Sequence, residues 1–430
     1  MAFQMKNLFS ILFKTIVDIL ILTVVLATVI AILPNHLFIN LPIDPIAYDT
    51  DFIADSLDNW NNLLAQRSLR LLEGHIVGPE AFAETDQHLY TGLADGRLVE
   101  IHKSSLKIRD VTTFGKSKDC VENEYRKMTE CGRPLGLRFS NDGSLYVIDA
   151  FAGLFRVNVT TDVKELIDFK NDEIIGIFND LVFDRNLNVV YISVSSTKWH
   201  LDRVPYSILD YEDTGYVFAY DFDKKVSQVL RKGFRFSNGI EISKDNKYLL
   251  IAETDTFTIH KIQMKNIHNA LKDNKQIVDN EMEVFAKHLP AEPDNIRIDR
   301  NGDVWMGAFL VRTDGKSLRD HLSDWPFVRK TVCRVMYLAS LVVDFINTNV
   351  TPNPMLQMLA FDLYSGHIAY KFMPKNGGVI KLDANTGKIK QILGSNQFNG
   401  ISEVLVDSEG DLYFGSFRNQ FIGKIERGDY

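Results

Sequence analysis

Acidic and amide side chains recur at one position of a repeated sequence layout. The members are Glu80, Asn179, Asp180, Asn238, Asp294, Asn295 and Glu403. The layout places such a group about ten residues ahead of an aromatic or aliphatic residue, as Glu80 stands ahead of Tyr90. These side chains offer only hard oxygen donors, which suit Ca²⁺ because this ion accepts many oxygen ligands in irregular geometry. The pattern predicts a calcium site if the fold brings these positions together.

The same residues also have a structural interpretation. Asn and Asp at the edges of strands commonly cap open backbone groups in turns. A single such residue would favour this interpretation, whereas recurrence over several repeats favours a cation site. A divalent cation would also remove the repulsion that Glu80 and Asp294 would otherwise exert on each other in a low-dielectric channel.

Other catalytic motifs are absent from the sequence. It contains no Gly-x-Ser-x-Gly elbow, no His-Glu-x-x-His helix and no phosphate-cradling glycine loop. None of the ten histidines falls at the repeated position. His200 follows a strand and could lie near a channel mouth or in a surface loop.

The elements that would position these groups are strands joined by tight turns. The residues that open the strand after each polar position are Tyr90, Tyr146, Tyr191, Leu249, Trp305 and Tyr413, at intervals of 56, 45, 58, 56 and 108 residues. Intervals near about 50 residues are typical of propeller blades with four strands. We predict an all-β fold, a six-bladed β-propeller over residues 69–430, whose inner strands begin with the polar groups at one end of a central channel. The last interval corresponds to one unit plus an insertion.

The predicted insertion covers residues 311–351. Apolar residues recur there at steps of three and four, which is a helical period. Such a helix could form a lid, a surface that lies on a membrane, a buttress, or a helix packed against one end of the barrel.

The N-terminal sequence is typical of a membrane-spanning segment. Residues 11–33 are almost entirely apolar, and the unbroken run 19–33, with the flanking turn, reaches the roughly 20 residues needed to cross a bilayer. Lys6 and Lys14 precede the core of this run and acidic residues follow it, which places residues 1–10 in the cytosol and the bulk of the chain outside it. We predict a single-pass type II signal anchor at the plasma membrane or endoplasmic reticulum, followed by a juxtamembrane segment, 34–68. A cleaved signal peptide is the alternative.

An extracellular or lumenal location has chemical consequences. Cys120 and Cys131 could close a small loop by a disulfide and leave Cys333 outside the pair. Asn158 and Asn349 lie in glycosylation sequons. The formal net charge of −8 and the lack of long Lys/Arg runs argue against a nucleic-acid partner.

Several segments together resemble the animal branch of the strictosidine synthase-like family. They are CGRPLGLRF at Cys131, SSTKWH at Ser195, SNGIEIS at Ser237, AETDT at Ala252, PDNIRID at Pro293 and ISEVLVDSEGDLYFGSFRNQF at Ile401. The resemblance runs in order over about residues 40–425. It implies a six-bladed propeller on a type II anchor, related to paraoxonases and other calcium-dependent esterases and lactonases. The pair Cys120–Cys131 also resembles a disulfide of the family.

The resemblance implies roles for individual residues. The residues that match the catalytic calcium ligands of paraoxonases are Glu80, Asn179, Asn238, Asp294 and Asn295. Asp180 matches a position tied to a second, structural calcium. Glu403 is similar in position to the catalytic glutamate of the plant synthases. The channel histidine of paraoxonases falls at or near Leu135, so this chain departs from the family there.

These observations favour a calcium-dependent, arylesterase-like hydrolase of small-molecule esters or lactones, with Glu403 or Asp180 as the base that activates water. The alternative is a non-enzymatic propeller at the cell surface or in a lumen, in which calcium only joins the blades. A third possibility is the amine–aldehyde condensation of the plant synthases. The sequence does not indicate a protein partner.

Overall fold

The computed structural model describes residues 14, 15, 17, 18, 22, 24–50, 60–115, 120, 127–169, 171–312 and 316–430. The chain divides into two compact units. One, which we call the helical unit, comprises Met1–Asp49 and Arg319–Phe372. The other, the propeller unit, comprises Thr50–Leu318 and Met373–Tyr430.

The described part of the propeller unit contains six antiparallel sheets of four strands each. Blade 1 consists of β2 (Phe82–Glu84), β3 (His88–Gly92), β4 (Arg97–His102) and β5 (Ile108–Thr113). Blade 2 consists of β6 (Pro134–Phe139), β7 (Leu145–Asp149), β8 (Gly153–Asn158) and β9 (Val163–Ile167). Blade 3 consists of β10 (Phe178–Phe183), β11 (Val189–Val194), β12 (Gly215–Asp221) and β13 (Val226–Phe234).

The remaining blades follow the same order. Blade 4 consists of β14 (Ser237–Ile242), β15 (Tyr248–Glu253), β16 (Thr258–Gln263) and β17 (Met282–Ala286). Blade 5 consists of β18 (Ala291–Ile298), β19 (Val304–Val311), β20 (Gly377–Leu382) and β21 (Ile389–Ser395). Blade 6 consists of β22 (Ile401–Val406), β23 (Leu412–Ser416), β24 (Ile422–Ile425) and the N-terminal strand β1 (Leu69–Leu71).

The first strands of neighbouring blades lie side by side in a closed ring. The order is β2, β6, β10, β14, β18, β22 and back to β2. Blade 6 is completed by β1, whose residue Arg70 pairs with Gly423 of β24. The start of the propeller is therefore hydrogen-bonded to its end, and the predicted six-bladed, all-β fold is confirmed.

The core of the propeller lies between the blades. Six clusters of buried apolar side chains each fill the gap between two neighbouring blades. Tyr191, for example, packs with Leu249 between blades 3 and 4. The residues used to count the repeat belong to the second strand of each blade and are all buried, which explains why they are aromatic or aliphatic.

Four short α-helices lie in the described part of the propeller unit. They are α1 (Leu63–Arg67), α2 (Met128–Cys131), α3 (Val204–Asp210) and α4 (Met264–Asp273). Helix α4 is amphipathic, and Met264, Ile267 and Ala270 pack into the cluster between blades 3 and 4.

The insertion in blade 5 is helical, but its ends differ from the predicted 311–351. Strand β19 continues to Val311, and α5 (Leu318–His321), α6 (Pro326–Asn349) and α7 (Pro354–Ser365) follow. Helix α7 lies beyond the predicted end of the insertion at residue 351. Asn353 caps it by accepting a hydrogen bond from the Met355 N–H (2.8 Å), and Pro354 occupies its first turn.

Part of the predicted anchor, 11–33, lies outside the described residues. Residues 24–32 are helical, and Leu22, Val24 and Ile32 are exposed. Among the described residues, one helix is long and apolar enough to cross a membrane, and it is α6 rather than an N-terminal helix. The type II topology therefore stays a prediction.

The three cysteines are buried and the two sequon asparagines are exposed. Cys120 and Cys131 form a disulfide, as expected, and Cys333 is a buried thiol of α6. Asn158 is exposed at the end of β8, and Asn349 is exposed at the end of α6.

Candidate metal centre

The predicted site residues occupy irregular positions at equivalent places in the inner strands. The register shifts near the start of five of these strands, once in four of them and twice in β18, which marks a β-bulge. The bulge residues are Leu135 in β6, Asn179 and Asp180 in β10, Asn238 and Gly239 in β14, Asp294 and Asn295 in β18, and Ser402 in β22. A bulge interrupts the alternation of a strand and redirects a side chain, so consecutive residues can point toward the channel.

The two remaining candidates adjoin this series. Glu403 directly follows the bulge of β22. Glu80 precedes β2, and its N–H donates to the Gly92 carbonyl of β3 (3.3 Å), so it lies at the same end of blade 1. All seven candidates are buried.

Glycines allow neighbouring bulges to approach closely. A Cβ atom on Gly239 would lie 2.6 Å from the Asn295 Cα atom, and one on Gly136 would lie 2.8 Å from the Asp180 Cα atom. Both distances are too short for a side chain, so glycine is required at these two places. As a result, the bulge of blade 4 touches that of blade 5, and β6 touches the bulge of blade 3.

Two of the candidate amides are each held by a hydrogen-bond relay through a hydroxyl group, and the two relays have the same geometry. In blade 3, Asn179 Nδ2 donates to Ser195 Oγ (3.0 Å), which donates to the Ser237 carbonyl (2.8 Å). The accepting carbonyl belongs to the residue just before Asn238, the candidate ligand of the next blade. This relay therefore connects Asn179 to the backbone beside the candidate ligand of the next blade.

The second relay repeats the geometry one blade later. Asn238 Nδ2 donates to Thr254 Oγ1 (3.2 Å), which donates to the Pro293 carbonyl (2.8 Å), directly before Asp294. Because Nδ2 faces the hydroxyl, the amide oxygen must face the other way.

Buried oxygens without partners test whether the site fits a cation. Among the described residues, Asn238 Oδ1, Asn295 Oδ1 and Asp180 Oδ1 are buried and accept no hydrogen bond. A buried acceptor without a partner costs about 1–3 kcal/mol, so these oxygens call for an explanation. A cation coordinated by the two amide oxygens, which belong to the predicted ligand set, would supply a partner for both, and the donor set therefore fits Ca²⁺.

The pKa shifts of the buried carboxyl groups also favour a cation at this site. Desolvation raises the pKa of Asp294 well above its usual value, and the nearby charges of Glu80, Glu403 and Glu292 raise it further. Burial likewise raises the pKa of Glu80 to about 7, although Arg133 opposes this shift. An excess of buried carboxylates is the environment that a divalent cation stabilises.

Sequence reasoning missed two buried arginines at this centre. Arg297 Nη1 donates to Asp180 Oδ2 (2.8 Å), and its Nη2 donates to Glu403 Oε2. Arg133 lies 3.4 Å from the Glu80 carboxylate and also donates to the Gly78 carbonyl (2.8 Å). The two-residue period of a strand was the available signal for Arg297, because it places this residue on the same face as Asn295.

The two predicted bases are thus joined by one guanidinium. Desolvation is the largest influence on Glu403 and raises its pKa to about 8, although Arg297 and Arg138 oppose the shift. Asp180 Oδ2 also accepts the Ile240 N–H (3.2 Å).

An apolar layer covers this end of the inner strands. Its members come from several blades and include Leu135, Ala150, Ile177, Leu201 and Phe417. Leu135 therefore contributes an apolar side chain where the resemblance placed a histidine.

A cavity of about 400 Å³ opens beside that layer. Phe151, Ile177, Phe178 and Leu201 line it together with the exposed His200. Phe178 immediately precedes the bulge of β10, so the cavity lies at the end of blades 2 and 3 where the candidate ligands are.

The candidate ligands differ from a cluster of conventional metal ligands. Within the described ranges, no three or more His, Cys, Asp and Glu side chains are placed to hold a metal ion. The candidate set contains two carboxylates and three amides, so its oxygens come mainly from asparagine.

Two family profiles match the chain. The strictosidine synthase profile matches residues 179–266, and the profile of the N-terminal part of strictosidine synthase-like proteins matches residues 61–101. The first range includes the bulges of blades 3 and 4, the whole of the first hydroxyl relay, and Asn238 and Thr254 of the second.

A solved structure shares the fold. A gluconolactonase from Xanthomonas campestris superposes with a TM-score of 0.50 at 12% identity, covering 89% of this chain and 97% of that one. Similarity at this identity concerns the fold alone.

Proteins called adipocyte plasma membrane-associated protein align with most of the chain. The one from Danio rerio is 30% identical over 371 residues, covering 85% of this chain and 79% of the relative. The one from Rattus norvegicus is 28% identical over 406 residues, covering 92% and 96%. The chain therefore belongs to the adipocyte plasma membrane-associated protein family.

Proposed function

We propose that the propeller binds Ca²⁺ through Glu80, Asn179, Asn238, Asp294 and Asn295 and hydrolyses small-molecule esters or lactones. The observation that carries the proposal is the pair of buried amide oxygens, Asn238 Oδ1 and Asn295 Oδ1, that accept no hydrogen bond. The relay through Thr254 supports it, because the amide of Asn238 is held with its oxygen turned away from the hydroxyl.

A bound calcium ion would polarise the substrate carbonyl and stabilise the negative charge that develops on its oxygen. The chain itself supplies the proton transfers. Glu403 or Asp180 accepts a proton from water as the water oxygen bonds to the carbonyl carbon, and the same carboxyl returns the proton to the leaving oxygen when the carbon–oxygen bond breaks. Arg297 keeps these two carboxylates in fixed positions.

The neighbouring cavity suggests which substrates fit. Its volume of about 400 Å³ and its aromatic and aliphatic lining suit a small ester or lactone with an apolar substituent. His200 and Lys198 supply its charged or polar margin.

The test uses the full-length chain in detergent and a panel of aryl esters and lactones, with Ca²⁺ and with EDTA. We expect calcium-dependent hydrolysis that Asn238→Ala abolishes. Asn301→Ala, which changes an exposed asparagine in a turn of blade 5, serves as the matched control and should retain activity. Turnover that is unaffected by EDTA and by Asn238→Ala would refute the proposal.

A non-enzymatic role is the second candidate, and two observations favour it. Leu135 offers no titratable group at the bulge of blade 2, and Arg297 engages both candidate bases. In that case calcium would raise the unfolding temperature, while no ester or lactone would be turned over.

We further propose that residues 11–33 anchor the chain in the plasma membrane or endoplasmic reticulum, with the propeller on the extracellular or lumenal side. The exposed apolar side chains of the N-terminal helix support this, and the names of the relatives refer to association with the plasma membrane. Glycosylation of Asn158, which is exposed at the end of β8, tests the orientation. A mobility shift on endoglycosidase treatment, removed by Asn158→Gln, is expected. Full protease sensitivity from the cytosolic side would contradict it.

A further inference from the structure

One face of α6 is apolar and exposed over most of the length of the helix. Val332, Val335, Val342 and Phe345 expose between 42% and 62% of their surface. The buried face consists of Arg329, Cys333, Arg334, Tyr337 and Ser340. The usual arrangement of a surface helix is therefore reversed, since arginines are inside and aliphatic residues are outside.

The charges of α6 avoid the exposed face. Arg329 and Arg334 are buried, and Lys330 is paired with Asp44 (2.8 Å). Asp344 is exposed, but at about 100° per residue it projects opposite to Val335 and Val342. A long apolar surface without charge marks a site of contact with a partner or a membrane.

Neighbouring residues extend the apolar surface at both ends of α6. Trp325, just before the helix, is 60% exposed, and Met355 and Met358 of α7 are 78% and 51% exposed. Tryptophan is enriched where a protein meets the boundary between lipid and water.

Arg334 joins α6 to the end of the N-terminal helix. Its Nη1 donates to the carbonyls of Ile30 (3.0 Å), Ala31 (2.8 Å) and Leu33 (2.7 Å), and its Nη2 donates to Asn35 Oδ1 (2.6 Å). These are among the carbonyls that the end of a helix leaves without partners. The middle of α6 is thus fixed where the apolar N-terminal segment ends, just before Pro34.

We propose that the face of α6 formed by Val332, Val335, Val342 and Phe345 lies on the lipid surface beside the N-terminal helix. The inference rests on the proposed anchor and not on the proposed hydrolysis. A chain that leaves a bilayer after residue 33 is at the lipid–water boundary there, and Arg334 holds α6 at that level. This continuity favours lipid over a second protein as the occupant.

The charges of α6 decide between lying on the bilayer and crossing it. A spanning α6 would carry Arg329, Lys330 and Arg334 toward the hydrocarbon, at about 2.5–3.5 kcal/mol for each cation near the centre. A helix lying in the boundary keeps these groups on the side away from the lipid and buries only the apolar face.

The test places an environment-sensitive fluorophore on the full-length chain in vesicles of phosphatidylcholine and phosphatidylserine that contain nitroxide-labelled lipid. The label is attached at Val335→Cys or Val342→Cys. Val226→Cys in β13, which is 52% exposed, is the matched control on the propeller, and Val29→Cys reports on the anchor. The unsubstituted chain gives the background from the buried Cys333.

We expect quenching at 335 and 342 to be several-fold stronger than at 226, and stronger with the nitroxide near the headgroup than near the end of the acyl chain. Quenching at 29 but not at 335 or 342 would overturn the inference while leaving the anchor intact. Absence of quenching at all three would overturn both. Disulfide-linked dimers of Val342→Cys with no quenching would show that a second copy covers the face instead.

Discussion

Arg297 of blade 5 and Asp180 of blade 3 form a buried ion pair across the inner strands, with 2.8 Å between Nη1 and Oδ2. The same guanidinium contacts Glu403 of blade 6, so one side chain joins three blades. Removing one partner of a buried ion pair leaves the other charge uncompensated, which is far more costly than losing a surface pair.

Arg297→Ala should therefore lower the free energy of unfolding by about 3–5 kcal/mol. Denaturant unfolding of the purified chain measures this difference. Arg300→Ala, which changes an exposed arginine of the same blade, is the control and should change stability by less than about 0.5 kcal/mol. Equal effects of the two substitutions would show that the buried pair contributes little.

Asn295→Ala should separate the cost of an unpaired oxygen from the benefit of calcium. Because Asn295 Oδ1 accepts no hydrogen bond, we expect the calcium-free variant to be nearly as stable as the unsubstituted chain. The unsubstituted chain should gain about 2.7 kcal/mol when calcium is present at about a hundred times its dissociation constant, and the variant should gain none. Thermal unfolding with and without Ca²⁺ measures both quantities. A calcium-induced shift of normal size in Asn295→Ala would exclude this residue as a ligand.

Thr254→Val should weaken calcium binding without touching a proposed ligand. The substitution removes the hydroxyl that accepts from Asn238 Nδ2, so the amide is no longer held in one orientation. Loss of such a supporting hydrogen bond typically lowers metal affinity by about 10-fold or more. Thr254→Ser keeps the hydroxyl and should restore the affinity. Equal calcium midpoints for the Val and Ser variants would mean that the relay does not orient the ligand.

Glu100→Gln should destabilise the chain at neutral pH but not in acid. The hydrogen bond from Arg109 is the main reason that the pKa of Glu100 is lowered from 4.5, and burial opposes this effect. The Tyr90 hydroxyl also donates to the carboxylate (2.7 Å). A lowered pKa contributes stability that is fully present above 4.5 and is lost as pH falls through the value in the folded state.

The expected difference between Glu100→Gln and the unsubstituted chain is about 1 kcal/mol at neutral pH, and it vanishes once the pH is below the pKa of Glu100 in the folded state. Unfolding temperatures across this range provide the measurement. Glu73→Gln alters an exposed pair with Arg70 and should show almost no pH-dependent difference. A constant difference at every pH would argue against an electrostatic origin.

The repeat predicted the fold because each blade buries the same kind of residue at the same place. Tyr90, Tyr191 and Trp305 are far apart in the sequence, but each fills a gap between blades. The closing strand β1 carried no such marker. It is short, and its role depends on pairing with β24 at the other end of the chain.

The polar position was visible in the sequence, whereas the geometry of the bulges was not. A bulge depends on how a strand pairs with its neighbour, so it cannot be predicted from the sequence of one strand alone. Arg297 was not predicted because it carries no oxygen donor, although its spacing from Asn295 was a usable signal. The start of α7 was similarly available in the sequence Asn353-Pro354 and was not used.

The pairing of β1 with β24 also sets an order of events during synthesis. Leu69–Leu71 are among the first residues of the propeller to leave the ribosome, yet their partner Ile422–Ile425 is among the last. The ring therefore stays open, with exposed strand edges, until nearly the whole chain has been made. A chain cut short before blade 6 would leave both ends of the ring unpaired, so premature termination even close to the C-terminus should yield an aggregation-prone protein rather than a shortened propeller.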